Sequence, residues 1–328
     1  MSNEDPNKTR ISRRALIAAA VTTAAASAIP QVATSVPTPE RASRDRPLEE
    51  WKPVTLEGGQ IVRVTGLEHS ADSFVANFRG IHDRIKRSKL VILEGGGPAG
   101  KMVAEVAAAV ASDRKFIEDP YRLMHILMTD GRAVEFDVFY GALAGTALLE
   151  NKRVFEIEPT YGITGELVNH VISAAGTLHL LSKTSQQAPN QLLRNAAAIQ
   201  VLSNIKEQAG EAALRVGRST AFDKVLQYNN EELLRFAWNL SDWRDLRVAS
   251  AIKGLPSRIP GDWSKGETGE VFRGAEHGPA LTHYLKTGIE PEAKRLTYPH
   301  WEVIAALDGS APREDVREIT KGGLKAIP

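Results

Sequence analysis

Leu90-Val91-Ile92-Leu93 is an unbroken apolar run that closes in Glu94. A strand buried on both faces, as in the middle of a parallel sheet, has this pattern. Upstream, residues 60–65 alternate as a strand. Residues 73–87 place Phe74, Val75, Phe78, Ile81 and Ile85 at helical spacing. Downstream, Gly95-Gly96-Gly97-Pro98 opens a further predicted helix over 99–111. The order strand, helix, strand, helix predicts an α/β sheet. Residues 120–150 read as mostly helical, with a break at Asp130-Gly131. Residues 153–157 form a third predicted strand, ending at Glu158-Pro159. Helical patterns follow at about 163–185, 190–216 and 230–253, the last carrying Leu233, Leu234, Ala237, Leu240, Leu246, Ala249 and Ile252. Residues 270–273 return to strand, 279–286 to helix, and 309–328 read as a loose tail. No repeat at a solenoid period is present. The predicted fold is α/β, leaning toward α+β: a mixed or mostly parallel central sheet with flanking helices and a large helical middle at about 163–253.

The N-terminus stands apart from this pattern. Lys8, Arg10, Arg13 and Arg14 precede an alanine-rich apolar run over 15–29, too short for a stable membrane anchor, and Ala26-Ser27-Ala28 offers a cleavage site. Ser12-Arg13-Arg14-Ala15-Leu16-Ile17 resembles a twin-arginine export signal, with Ala18 where Lys is frequent. Residues 1–30 are therefore expected to be an export signal and 31–53 a linker rich in Pro, Ser, Thr and charge. The domain is expected over 54–308. The mature protein is expected in the periplasm or outside the cell, delivered by the twin-arginine machinery, with no stable membrane anchor after cleavage. A net charge of +1 gives no electrostatic case for nucleic acid. The absence of cysteine excludes disulfides, thiolate metal sites and a catalytic thiol.

One phrase occurs twice, as Gly66-Leu67-Glu68-His69 and Gly274-Ala275-Glu276-His277, each copy after a short strand-like run. The Gly-x-x-His spacing alone carries little weight: 26 glycines and 8 histidines predict roughly one match by chance. A third match, Gly176-Thr177-Leu178-His179, falls in a predicted helix at 167–182 and is set aside. The other two share a Glu before the His and a strand before the Gly. Ligands in open α/β sheets collect at the carboxyl ends of strands. Four polar residues are expected there: His69, Glu94, Glu158 and His277. Two imidazoles with one or two carboxylates would suit a divalent ion such as Mn, Co or Zn. Such an ion activates water, and a carboxylate left over could act as general base. Glu68 and Glu276 are candidates to fix the imidazole tautomers. Gly95-Gly96-Gly97 lacks the remaining residues of a phosphate loop. Trp238, Trp243 and Trp263 could line a groove, but core positions are expected for most of them. His82, His125, His179 and His283 lie in helical patterns and read as helix-surface residues.

Val64-Thr65-Gly66-Leu67-Glu68-His69, a helix, and a strand ending in Glu94 together resemble the opening of the TraB/PrgY/GumN and Tiki-like superfamily. The segment from Gly274 to Leu281, followed by Leu285-Lys286-Thr287-Gly288, resembles its second G-x-x-H element. Trp243-Arg244-Asp245-Leu246 is similar to the Arg-Asp helix before it. The resemblance spans about 58–290, and the order of the three motifs agrees. It implies an α/β core with a helical middle. It also implies a site centred on His69, Glu94 and His277, with Arg244 and Asp245 supporting it by hydrogen bonds. The chain departs from the pattern in the glycines after Glu94 and in the Glu before each His. The expected function is an exported metal-dependent hydrolase, acting first on peptide bonds or on a small-molecule substrate. His69 and His277 would be ligands and Glu94 ligand or base. Glu158 is a further catalytic candidate, and Arg244 would stabilise the oxyanion or position Glu94. A non-enzymatic binder of a peptide or haem-like ligand, and a metal-independent esterase with a His base, are the alternatives.

Overall fold

A computed structural model describes residues 48–68, 71–94, 100–120, 135–157, 224, 227, 230–289, 300, 303–304 and 316–327. The chain enters through two short strands, β1 (Glu49–Glu50) and β2 (Val54–Thr55), then β3 (Ile61–Leu67) and helix α1 (Ala71–Arg87). Strand β4 (Leu90–Glu94) follows, then α2 (Gly100–Ser112), a single turn α3 (Lys115–Glu118), α4 (Glu135–Leu149) and β5 (Arg153–Ile157). After the long α5 (Asn230–Arg258) come β6 (Thr268–Gly274), a 3-10 turn (Ala275–His277) and α6 (Gly278–Thr287). A final hairpin, β7 (Val316–Thr320) and β8 (Gly323–Ala326), completes an eight-stranded sheet.

Its strand order is β1-β3-β6-β4-β5-β7-β8, with β2 also pairing β3. The four central strands are mutually parallel, and the additions at both edges are antiparallel. This is the expected α/β arrangement, a mixed sheet with a parallel centre. The apolar runs of β4, β5 and β6 are explained by burial on both faces. Side chains alternate along each strand. Val62, Val64, Leu90, Ile92, Phe155, Ile157 and Val271 therefore face α5 and α6. Leu67, Val91, Leu93, Val154 and Phe272 face α1, α2 and α4.

Each helix fits its place. On α1, Phe74, Phe78, Ile81 and Ile85 form one buried stripe. Helix α4 is buried without a break from Val138 to Ala147, a stretch whose only polar side chains are Tyr140 and Thr146. Gly141 and Gly145 let it approach α2 closely. A Cβ at Gly141 would lie 2.4 Å from Val106, and one at Gly145 would lie 2.4 Å from Val110.

Both predicted ends of the domain need correction. β1 pairs Glu49 with Gly66 and Glu50 with Thr65, so ordered structure starts before residue 54. The expected tail contains the β7–β8 hairpin, in which Val316 and Ile319 are buried. Its charge concealed it. Arg317 reaches the buried Glu156 at 3.0 Å, and Glu318 takes Arg153 at 2.7 Å, so the two adjacent charged positions find opposite charges on β5. Trp243 and Trp263 are core residues, as expected. The expected helices at 163–185 and 190–216, the break at 130–131, His125 and His179 lie outside the described residues, and so does the side chain of Trp238. No described helix is long and apolar enough to cross a membrane.

Candidate functional site

β6 lies between β3 and β4, so the two Gly-x-Glu-His phrases emerge side by side at the carboxyl edge of the sheet. The register pairs Gly66 with Arg273 and Leu67 with Gly274. A Cβ at Gly66 would stand 2.8 Å from the Cα of Ala275, the residue that starts the turn of the second phrase. The first glycine is thus required by the backbone of the other copy. His69 falls outside the described residues, two positions past β3, and Glu158 does so one position past β5.

Glu94 ends β4 and is buried, with 4% of its surface exposed. Its Oε2 accepts hydrogen bonds from the Tyr140 hydroxyl at 3.1 Å and the Gly274 backbone N–H at 3.0 Å. Its Oε1 accepts one from Arg244 Nη2 at 3.2 Å. Arg273 Nη2 lies 3.9 Å from the same oxygen and His277 Nε2 lies 3.8 Å from it. A buried carboxylate is tolerated only with such partners.

Helix α5 supplies Arg244 and Asp245. Arg273 Nη2 is 3.4 Å from Asp245 Oδ1. His277 Nδ1 is 3.0 Å from both oxygens of the Asp245 carboxylate. A carboxylate only accepts, so Nδ1 carries the proton. In the neutral ring Nε2 then presents its lone pair toward Glu94. Two buried carboxylates, Glu94 and Asp245, are balanced by two buried guanidiniums, Arg244 and Arg273. Arg273 is only 1% exposed and donates through Nη2, while its Nε and Nη1 make no hydrogen bond among the described residues.

Tyr140 reaches the cluster from α4, on the opposite face of the sheet. Burial, and then the charge of Glu94, push its phenol well above the ordinary range, so it stays protonated and donates.

Of the residues expected from the sequence, the fold brings together Glu94, Arg244, Asp245 and His277. Glu68 and Glu276 are exposed. The tautomer-fixing contact expected of Glu276 at His277 is made by Asp245. Sequence reasoning missed Arg273 and Tyr140. The signal for Arg273 was a charged side chain in the apolar run Val271-Phe272, one position before the second phrase. For Tyr140 it was the single hydroxylated ring in an otherwise apolar helix face.

The described residues supply two donors for a divalent ion. His277 Nε2 and Glu94 Oε1 stand 3.8 Å apart, and ligand bonds of about 2.0–2.2 Å to each would let one ion sit between them. Among the described residues, no group of three His, Asp or Glu side chains is placed to hold a metal. No protein-family model matches the chain, and no curated protein or solved structure matches it significantly.

Proposed function

We propose that this protein is an exported hydrolase of peptide or ester carbonyls in which His277, aimed by Asp245, takes a proton from the attacking water. The observation that carries the reading is the Asp245–His277 contact at 3.0 Å, with Nε2 turned toward a charge-balanced strand edge. His277 Nε2 accepts the water proton while the water oxygen bonds to the carbonyl carbon. Asp245 stabilises the imidazolium that forms. The same proton then passes from Nε2 to the leaving amine or alkoxide as the carbonyl reforms. Arg244, beside the gap, supplies positive charge for the developing oxyanion. Glu94 acts here as an anchor, since it ties together β6, α4 and α5 through Gly274, Tyr140 and Arg244. The motif order similar to the TraB/PrgY/GumN and Tiki-like superfamily supports the reading, and the twin-arginine-type signal supports export.

The 3.8 Å gap favours a second reading, in which His277 Nε2 and Glu94 Oε1, with His69, hold a divalent Mn, Co or Zn ion. Such an ion would supply Lewis-acid activation of water. Asp245 would keep the same task, fixing the tautomer from behind the ligand. The charge balance ranks this reading second. Arg244 already occupies the shared oxygen, and a divalent ion would add positive charge beside two guanidiniums.

The test is hydrolysis of peptide and ester libraries by mature protein, with and without chelator, for the wild type and His277→Ala. Turnover that resists chelation and is lost in His277→Ala is expected. Turnover abolished by chelator and restored by Mn²⁺, Co²⁺ or Zn²⁺ selects the second reading. Turnover unchanged in His277→Ala overturns both.

A further inference from the structure

The turn that carries His277 is held at both ends, by the Gly274 N–H on Glu94 at 3.0 Å and by His277 Nδ1 on Asp245 at 3.0 Å. His277, which precedes α6, makes no side-chain capping hydrogen bond. Such caps ordinarily set how a chain enters a helix. A further support comes from Trp51, more than two hundred residues earlier in the sequence. A Cβ on Gly278, the residue after His277, would lie 2.2 Å from the Trp51 ring, and a Cβ on Gly66 would lie 2.6 Å from it. The indole therefore lies against the first glycine of one phrase and the residue that closes the other.

Trp51 is held there by the strap Leu48–Trp51, whose residues alternate between the two faces of the sheet. Leu48 packs beside Gly80 of α1, where a Cβ would be 3.1 Å from it. Glu50 pairs with Arg84, which also donates to Thr65 at 3.1 Å and lies 3.5 Å from the buried Glu270. The backbone of the strap pairs with β3 through Glu49–Gly66 and Glu50–Thr65, and the Trp51 N–H donates to Val64 at 3.4 Å. Ladder, ion pair and ring all fasten a segment expected to be linker.

We propose that Trp51 is a positioning residue for His277, so that the strap Leu48–Trp51 is part of the functional site. The three atoms nearest to a Cβ on Gly278 all belong to the indole, so its loss opens space beside that glycine. The turn can then relax, and the imidazole moves relative to Asp245 and the Glu94 edge. The effect on catalysis rests on the hydrolase reading, whereas the effect on the imidazole does not.

The experiment reads both. The ¹⁵N signals of the His277 imidazole and the steady-state kinetics are measured in wild type, Trp51→Ala, Trp51→Phe and Gly278→Ala, with melting temperature as the check on folding. In wild type the ring is expected as the single Nδ1–H tautomer. In Trp51→Ala and Gly278→Ala it shifts toward a mixture of tautomers, and kcat falls on the order of tenfold to a hundredfold with KM held within about twofold. Trp51→Phe, which keeps an aromatic ring, retains most of both properties. Gly278→Ala disturbs the contact while leaving Trp51 in the chain, and it decides the question if Trp51→Ala does not fold. Wild-type tautomer and kcat in Gly278→Ala or in folded Trp51→Ala would overturn the proposal. A shifted imidazole in a protein without hydrolytic activity would retain the positioning role and remove the hydrolase reading.

Discussion

Asp245 holds His277 by Nδ1 at 3.0 Å and receives Arg273 on Oδ1 at 3.4 Å. One helix residue thus orients the imidazole and binds the strand that delivers it. Replacement by Asn keeps the size but adds an amide donor, which favours the opposite tautomer. We expect Asp245→Asn to lower kcat by about 10²- to 10⁴-fold and also to lower the melting temperature, because Arg273 loses a buried anion. Steady-state kinetics on any substrate found in the library screen checks it.

Glu94 gathers donors from three elements, so its charge matters to stability as well as to the site. Glu94→Gln leaves the Arg244 and Arg273 guanidiniums facing one fewer buried anion. A loss of about 3–5 kcal/mol is expected, measured by urea unfolding at neutral pH. Stability within about 0.5 kcal/mol of wild type would count against the charge balance described for this cluster.

The contact between α2 and α4 is set by glycine. A methyl group at Gly141 would meet Val106 at 2.4 Å, inside van der Waals distance. Gly141→Ala is expected to destabilise by about 1–3 kcal/mol through overpacking. Adding Val106→Ala removes the Cγ1 at 2.4 Å but keeps the Cβ at the same distance, so it is expected to recover only part of that loss. A double-mutant cycle by denaturant unfolding tests the coupling.

His82 on α1 bonds Glu150, just past α4, at 2.8 Å. Burial works to raise the Glu150 carboxyl, but the hydrogen bond and charge of His82, with Lys86 and Arg114, outweigh it and leave it below the ordinary value. A carboxyl lowered in the folded state contributes stability that is fully present above its unfolded pKa. That contribution is lost as pH falls through the lower folded value. Glu150→Gln should therefore flatten the acid side of the stability profile. Melting temperature followed from pH 7 downward, at about half-unit steps, measures it.

Removing residues 316–328 would strip β7 from the edge of β5 and expose Phe155 and Ile157 beside unpaired backbone groups. We expect a lower melting temperature and a concentration-dependent tendency to associate, because an open apolar edge recruits another strand. Light scattering against the full chain decides it, and a monomeric product of unchanged stability would contradict the role given to the hairpin.

Much of this was legible in the order of residues. Leu90–Glu94 and Arg153–Ile157 could be read as strands, and 73–87 as the body of α1. Burial on two faces or on one stripe leaves a local imprint that needs no knowledge of neighbours. Glu94 and His277 could be singled out because a charged or imidazole side chain at the end of an apolar strand has a restricted set of uses. The short ladders at the ends could not be read in this way. Two residues at Glu49–Glu50, and a charged run at Val316–Thr320, acquire their meaning from partners far along the chain.

By itself, then, the sequence determined the α/β class, the duplicated phrase and the acid at the strand edge, all of which follow from short-range periodicity and residue chemistry. Tertiary structure alone decided that β6 inserts between β3 and β4, which sets the two phrases side by side. It alone brought Arg273 and Tyr140 to Glu94, and Trp51 to Gly278. Those meetings depend on strand order, register and close packing between segments in some cases more than two hundred residues apart. Such choices are made by the fit of whole faces against one another, and no local pattern encodes them.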